Sequence, residues 1–289
     1  IWIPLALGTA FSTGTADALS KQLLKKNSVQ IVSMARWGGA ALFLFPFLFF
    51  VSGPSDQRVF WQAVLTALPL EIIAILSYQT ALKLSPLSTS IPYLAFTPVF
   101  LIATGWIFLG ETPSTIGIVG TCLVTLGAAF LQGGHLKPGE QKWKILLPRT
   151  KGAYLMLLVA FIYSITSALA KKATLVSNPY YFSAVYNGVI LLALLPLTLI
   201  SKKPTKQESF KTTWWLFAGL GLLEALTFIL QFNAFLYVEL AYSISIKRLS
   251  LLIAVFYGWF FFKESDVISK MFAAFVMLTG AVLVLFARP

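Results

Sequence analysis

The chain has 289 residues, 58% apolar and only 11% charged, with a formal net charge of +12 and a mean hydropathy of +0.82. Soluble domains run at roughly 45–50% apolar and about 25% charged, so aqueous packing cannot hide this much apolar surface and the solvent must be lipid. The positive balance does not mark a nucleic-acid binder: most Lys and Arg fall in short loops between apolar runs, and no separate basic domain exists.

Apolar stretches follow one another at about 2–24, 28–51, 60–83, 86–109, 113–133, 151–173, 179–201, 212–237, 239–262 and 266–287, each near the ~20 residues that cross ~30 Å of hydrocarbon. Lipid offers no partners to backbone N–H and C=O groups, so helices are the expected spanning element. The ten-residue alternation of barrel strands is absent. The first stretch holds Asp17 and runs straight into repeated sequence, which reads as a span and not a cleaved signal. Pro92 and Pro98 interrupt the fourth and favour a kink, whereas the ninth has no proline, so the two are not mechanically equivalent. Thr112 is expected to cap the fifth helix, with Pro113 in its first turn, and Ser265-Asp266 to cap the tenth. The organisation is therefore a first half over 1–133, a basic linker loop over 134–150 and a second half over 151–289.

The halves repeat. Ala18-Leu19-Ser20-Lys21 matches Ala168-Leu169-Ala170-Lys171, and Pro46 matches Pro196, at an offset of 150. Trp61 matches Trp214, Glu71 matches Glu224, and Gly127-Ala128 matches Gly280-Ala281, at 153. GWIFLGET (105–112) recurs as GWFFFKES (258–265). Five spans is an odd number, so consecutive halves enter the membrane in opposite senses: two inverted five-helix repeats, ten transmembrane helices in all. The loops after spans 1, 3, 5, 7 and 9 carry about fifteen Lys/Arg against about four on the other face, which puts the first face in the cytoplasm and both termini outside. The richer set includes Lys25, Lys26, Lys137, Lys142, Lys144, Arg149, Lys151, Lys202, Lys203, Lys206 and Lys211; the poorer set is Arg58, Lys171, Lys172 and Arg288.

Asp17, Arg36, Glu71, Glu224, Lys247 and Arg248 fall inside spans. Facing lipid, the six would cost on the order of 15 kcal/mol, so they must be paired, face a wet cavity, or both. Glu71 and Glu224 sit at mid-span and fit proton or ion coupling, as does Asp17; the competing readings are a fixed Glu71–Arg36 pair and an Asp17–Lys21 pair on one helix face. Arg36, Lys247 and Arg248 are expected to neutralise an anionic solute, with Arg248 gripping a carboxylate or phosphate bidentately and Lys247 adding a mobile point charge. Against that, either Lys247 or Arg248 pairs with Glu224 or Glu239 and the other snorkels. Tyr78, Gln79, Ser88, Ser90, Tyr93, Gln231, Asn233, Tyr242 and Ser243 are further polar candidates for solute contact, or helix glue. Cys122 has no partner for an internal disulfide, and His135 has no Cys/His/Asp cluster around it. With no phosphate-binding glycine loop, nucleophile relay or metal spacing, neither enzymatic activity nor a cofactor is expected.

Several of these residues occur in an order that resembles the EamA-domain members of the drug/metabolite transporter superfamily. They are Lys21, Arg36 in MARWGGAALFLFP, Tyr78 and Ala81-Leu82 in YQTALKLSPLSTSIPYLAFTPVF, Gly110-Glu111 in GWIFLGET, Phe232-Asn233-Ala234 and Lys263-Glu264. The resemblance implies ten helices in two inverted repeats, a central cavity, secondary transport by alternating access, and residence in a bacterial inner membrane as a chain that can act as a monomer. Known members often keep both termini cytoplasmic, the reverse of the charge count here. Lys247-Arg248 is no general EamA feature; it resembles the phosphate-binding pair of the plastid sugar-phosphate branch. The expected function is transport of a small polar, anion-bearing metabolite such as a phosphate ester, amino acid or organic acid. Two alternatives stand: a proton-coupled exporter of aromatic or cationic drugs, favoured if every cavity cation is paired, and a lipid-linked sugar flippase or accessory subunit, favoured by a cavity opening sideways into lipid or by sealed packing, respectively.

Overall fold

A computed structural model describes residues 1–131, 148, 150–200, 210–253, 256–257 and 267–287. His135, the linker cations Lys137, Lys142, Lys144 and Arg149, the loop cations Lys202, Lys203 and Lys206, the second tail motif 258–265 with Lys263-Glu264, Asp266 and Arg288 lie outside the described residues, as do the side chains of Ser88 and Lys211. Secondary structure among the described residues is helix and turn, with no strand.

The elements are α1 (Trp2–Leu24), a broken span over α2 (Val29–Ser33), a π-helical turn (Met34–Gly38), α3 (Gly39–Leu44) and a 3-10 turn (Phe45–Phe49), then α4 (Gln57–Leu84). A second broken span follows: α5 (Leu87–Ser90), a 3-10 turn (Ile91–Phe96) and α6 (Thr97–Leu109). Then come α7 (Thr115–Phe130), α8 (Lys151–Leu175), α9 (Pro179–Ile200), α10 (Phe210–Phe235), α11 (Leu240–Lys247) and α12 (Val267–Phe286). Among the described residues, six segments are long and apolar enough to cross a membrane: 29–49, 57–84, 91–109, 151–175, 179–200 and 214–235; 115–130 and 272–286 are apolar but shorter. α1 has the length but carries a polar face, and Thr9, Ser12, Thr13, Asp17 and Ser20 on it are buried. Leu42, Phe50, Trp106 and Phe275 point outward instead, the inside-out pattern of a protein dissolved in lipid.

Local chemistry sets the ends. Asp56 accepts from the Val59 N–H at 2.9 Å to start α4, and Thr150 from Ala153 at 3.1 Å to start α8. The α7 cap is Ser114, which accepts from Gly117 at 3.3 Å, not Thr112; the helix begins two residues after Pro113 because a serine is available there. Gly110 closes α6 in the left-handed region (φ +70°), with its own N–H on Trp106 O and that of Glu111 on Gly105 O.

Pro92 and Pro98 break the fourth span into a 3-10 turn, as their positions predict. The ninth breaks too, without proline: α11 ends at Lys247, and the N–H groups of Leu249, Leu251 and Leu252 bond three residues back. Both breaks leave carbonyls in need of donors, and α7 supplies one: Thr125 Oγ1 donates to Ala95 O at 2.7 Å. It also braces the ninth span, where the Ser245 hydroxyl donates to Thr121 Oγ1 at 3.2 Å.

The helix contacts obey a two-fold exchange. α1 packs on α10 and its repeat partner α8 packs on α4, partner of α10; α5 and the Ile91–Phe96 turn pack on α8 as α11 does on α1; α7 meets α12 and α3 meets α9. The α7–α12 contact is a backbone approach: a Cβ on Gly120 would lie 2.8 Å from Gly280 O, and one on Gly280 2.7 Å from Gly120 O. Glu111 ties the halves at one end. Its Oε1 takes Lys171 Nζ at 2.6 Å and its Oε2 takes the Leu240 N–H at 2.9 Å, while Lys171 also donates to Val238 O at 2.7 Å. Lys21, its repeat partner, donates to Leu82 O and Ser85 O (2.7 Å) rather than pairing with Asp17, because the frayed end of α4 offers carbonyls within reach.

Gly120→Leu forces a side chain into the α12 backbone, and overpacking of this kind costs about 1–3 kcal/mol or more. A lowered unfolding midpoint in detergent is expected for it, while Gly188→Ala, where a Cβ meets nothing within 4 Å, leaves the midpoint unchanged or higher.

Candidate functional site

The π-helical turn shifts the register of the second span so that Arg36 and Trp37 both turn inward, with 2% exposure each. Burying a guanidinium at this depth requires partners. Arg36 Nε donates to Glu224 Oε2 at 2.7 Å and Nη1 to Asp17 Oδ1 at 2.8 Å, while Tyr78 OH donates to the same Asp17 oxygen at 2.5 Å. The guanidinium also lies 4.9 Å from the Trp37 ring centroid and 5.4 Å from that of Tyr78, close enough for cation–π attraction.

This cluster forms one wall of a cavity of about 100 Å³. From α4 come Glu71 and Tyr78; from α8, Tyr163, Thr166 and Ser167; from α9, Tyr186; from α10, Glu224, Gln231 and Phe232; from the break after α11, Lys247 and Arg248. Other lining residues, Thr13, Ala170 and Phe235 among them, extend it from mid-span toward the face where α8 and α10 end, beneath the Glu111–Lys171 tie.

The charges are of equal number but not equally matched. Arg36 holds two carboxylates, so that cluster is net negative by one. Among the described residues Glu71 has only neutral donors, Tyr186 OH at 3.2 Å and the Thr166 side chain. Arg248 donates from Nη2 to Thr97 Oγ1 at 2.7 Å and its buried Nε has no partner. Among the described residues, Lys247 makes no hydrogen bond or ion pair, and neither Lys247 nor Arg248 reaches Glu224 or Glu239 within salt-bridge distance. The Glu71–Arg36 pairing considered from sequence does not form; Arg36 goes to Glu224 across the halves.

Of the sequence candidates, Arg36, Glu71, Tyr78, Glu224, Gln231, Lys247 and Arg248 meet in the cavity lining, and Asp17 stands directly behind Arg36. Gln79, Ser90, Tyr93, Asn233 and Tyr242 lie outside that lining. Gln79 points at Ser20. Ser90 and Asn233 donate to carbonyls four residues back. Tyr93 stacks near Phe96, and Tyr242 takes the Ser114 N–H at 2.7 Å over the bare Cα of Gly117. Sequence reading passed over Thr13, Tyr163, Thr166, Tyr186 and Thr97. A signal existed for one of them: Tyr186 stands 150 residues after Arg36. The pairs Arg36–Glu224 and Tyr186–Glu71 are thus repeat equivalents, one ionic and one neutral.

Long apolar helices, two halves that exchange contacts, and a polar cavity between them define a multi-pass integral membrane protein with a small polar interior. The family model for the EamA-like transporter family matches residues 1–132 and 150–286, and the chain belongs to that family. It is a membrane transporter of the drug/metabolite type. No curated protein matches it. Among solved structures, a crystal structure of a protein aligns with TM-score 0.72 at 12% identity, covering 98% of this chain and 97% of that one, a likeness of fold alone.

Arg36→Met strands two buried carboxylates, and breaking a buried ionic cluster by removing one partner costs about 3–5 kcal/mol. Its folded yield in detergent is expected to collapse, and Arg36→Met with Asp17→Asn and Glu224→Gln is expected to recover most of it, measured by size-exclusion profile and unfolding midpoint.

Proposed function

We propose that the chain is a secondary transporter that carries a small, anion-bearing polar metabolite by alternating access. Its ten spans form two inverted five-helix repeats, 1–133 and 151–289, joined by the linker over 134–150. The single observation that carries this reading is that half-buried Lys247 and buried Arg248, both in the cavity lining, have no carboxylate within salt-bridge distance among the described residues. A phosphate or carboxylate supplies the missing counter-charge. Arg248 offers its unpartnered Nε with the rest of its fork, and Lys247 a point charge from the next position around the helix. Arg36 is already committed to Asp17 and Glu224, so it acts by holding the wall and not by gripping the solute. Glu71, with neutral donors only, is the carboxylate open to proton or cation coupling.

The cationic-drug reading required every cavity cation to be paired; two are not. At about 100 Å³ the cavity is smaller than the ~300–1,000 Å³ of usual ligand pockets, so the halves must part for a solute to enter. The two-fold exchange of contacts supports a rocking motion, and the broken fourth and ninth spans supply bends at the site's depth. The cation-rich loop face is assigned to the cytoplasm.

The test is exchange of radiolabelled phosphate esters and organic acids in proteoliposomes. Arg248→Ala and Lys247→Ala are each expected to weaken transport by on the order of tenfold or more, as loss of a charged hydrogen bond implies. Unchanged transport of every anionic solute in both variants would remove the clamp. For Glu71→Gln, exchange is expected to persist while accumulation driven by a proton gradient is lost; retained accumulation assigns coupling elsewhere.

A further inference from the structure

A second cavity lies on the outer surface, between the second span, α9 and α10, with a volume of about 830 Å³. It shares no lining residue with the polar cavity. Its floor is thin because Gly38, Gly39 and Ala218 bring the helices together: a Cβ on Gly39 would sit 3.1 Å from Gly221 Cα, and one on Gly221 2.8 Å from Gly39 C. Its rim carries Leu42 and Trp214, 71% and 58% exposed, so it opens toward the surrounding lipid.

We propose that this groove is a binding site for one acyl chain of a membrane phospholipid. Three observations select that occupant. The lining is apolar apart from Thr198, whose hydroxyl is spent on Leu195 O at 2.7 Å. Along the second span the groove runs from Ile31 to Phe43, about 18 Å at 1.5 Å per residue, close to the ~15 Å depth of one leaflet's hydrocarbon. It starts at the face where α9 ends and α10 begins, beside Trp214, and tryptophan favours the headgroup level. A chain entering from the headgroups therefore fills it to mid-membrane and no further. Met34, Ala35 and Gly38 in its wall belong to the turn that carries Arg36, so the lodged chain braces that turn from the lipid side. The inference rests on membrane residence, not on the solute proposed above.

The experiment uses the full chain in proteoliposomes containing phosphatidylglycerol with a photoactivatable diazirine in its acyl chain, and maps labelled residues by mass spectrometry. Labelling of Leu42, Leu191 and Phe217 is expected to exceed that of the exposed Phe272 and Phe275 on α12 by about tenfold, the mark of a held rather than a passing lipid. Native mass spectrometry after detergent exchange is expected to retain one phospholipid on the wild type and none on Ala218→Trp or Thr198→Trp, which fill the groove from different helices. Equal labelling of groove and α12 overturns the proposal, whatever the folding of the two variants. So does lipid retention unchanged in both folded variants, or a dimer whose cross-links seat a second copy in the groove.

Discussion

Arg36 cannot be buried alone, and the rest of the interior is arranged around that fact. Its guanidinium draws Asp17 from α1 and Glu224 from α10 into one cluster, with Tyr78 of α4 closing on Asp17. Four separate spans are thereby fixed at one point, and that point joins the first half to the second. Loss of water costs each of these charges several kcal/mol, so the cluster exists only while all its members are present. Its stoichiometry has a consequence elsewhere: one cation consumes two carboxylates, so two cations, Lys247 and Arg248, share the space with one remaining carboxylate, Glu71, and among the described residues none of the three forms a salt bridge.

Backbone positions follow the two-fold exchange while the side chains depart from it. Arg36 answers to Tyr186, Tyr78 to Gln231, and Lys247-Arg248 to Leu94-Ala95. Shared backbone geometry gives each half an equivalent frame, as rocking between two access states requires. The chemical departures concentrate cations on the second half's broken span and a neutral donor opposite Glu71. On the proposed reading, symmetry supplies the motion and its violation supplies selectivity. The same logic gives Gly110-Glu111 a physical role: the glycine turns the chain out of α6, and the carboxylate then binds a lysine and a helix N-terminus from the other half.

Helical architecture and doubling were legible because lipid demands long apolar runs and because Glu, Trp and Pro rarely recur by chance at one spacing. The intramembrane charges were legible for the same reason. Their pairing was not. Asp17 and Lys21 share a helix face, yet Lys21 reaches past it to carbonyls at the end of α4, and Asp17 turns to Arg36 on the neighbouring span. Polar type alone also failed to place Ser90, Tyr93 and Tyr242, since breaks in the fourth and ninth spans scramble the 100° stepping that assigns faces. Tyr186 went unnoticed because the repeat was read through identities, and its counterpart is an arginine.

On the proposed reading, Lys247 and Arg248, which form no salt bridge among the described residues, meet the solute's negative charge in the cavity. Thermal unfolding of the purified protein against matched sets of metabolites reads this directly, since a ligand that binds only the folded state raises its stability with concentration. Midpoints are expected to rise with solutes bearing a phosphate or carboxylate and to stay flat with their uncharged or purely cationic analogues. Stabilisation by cationic amines alone, with anionic solutes inert, would contradict that reading.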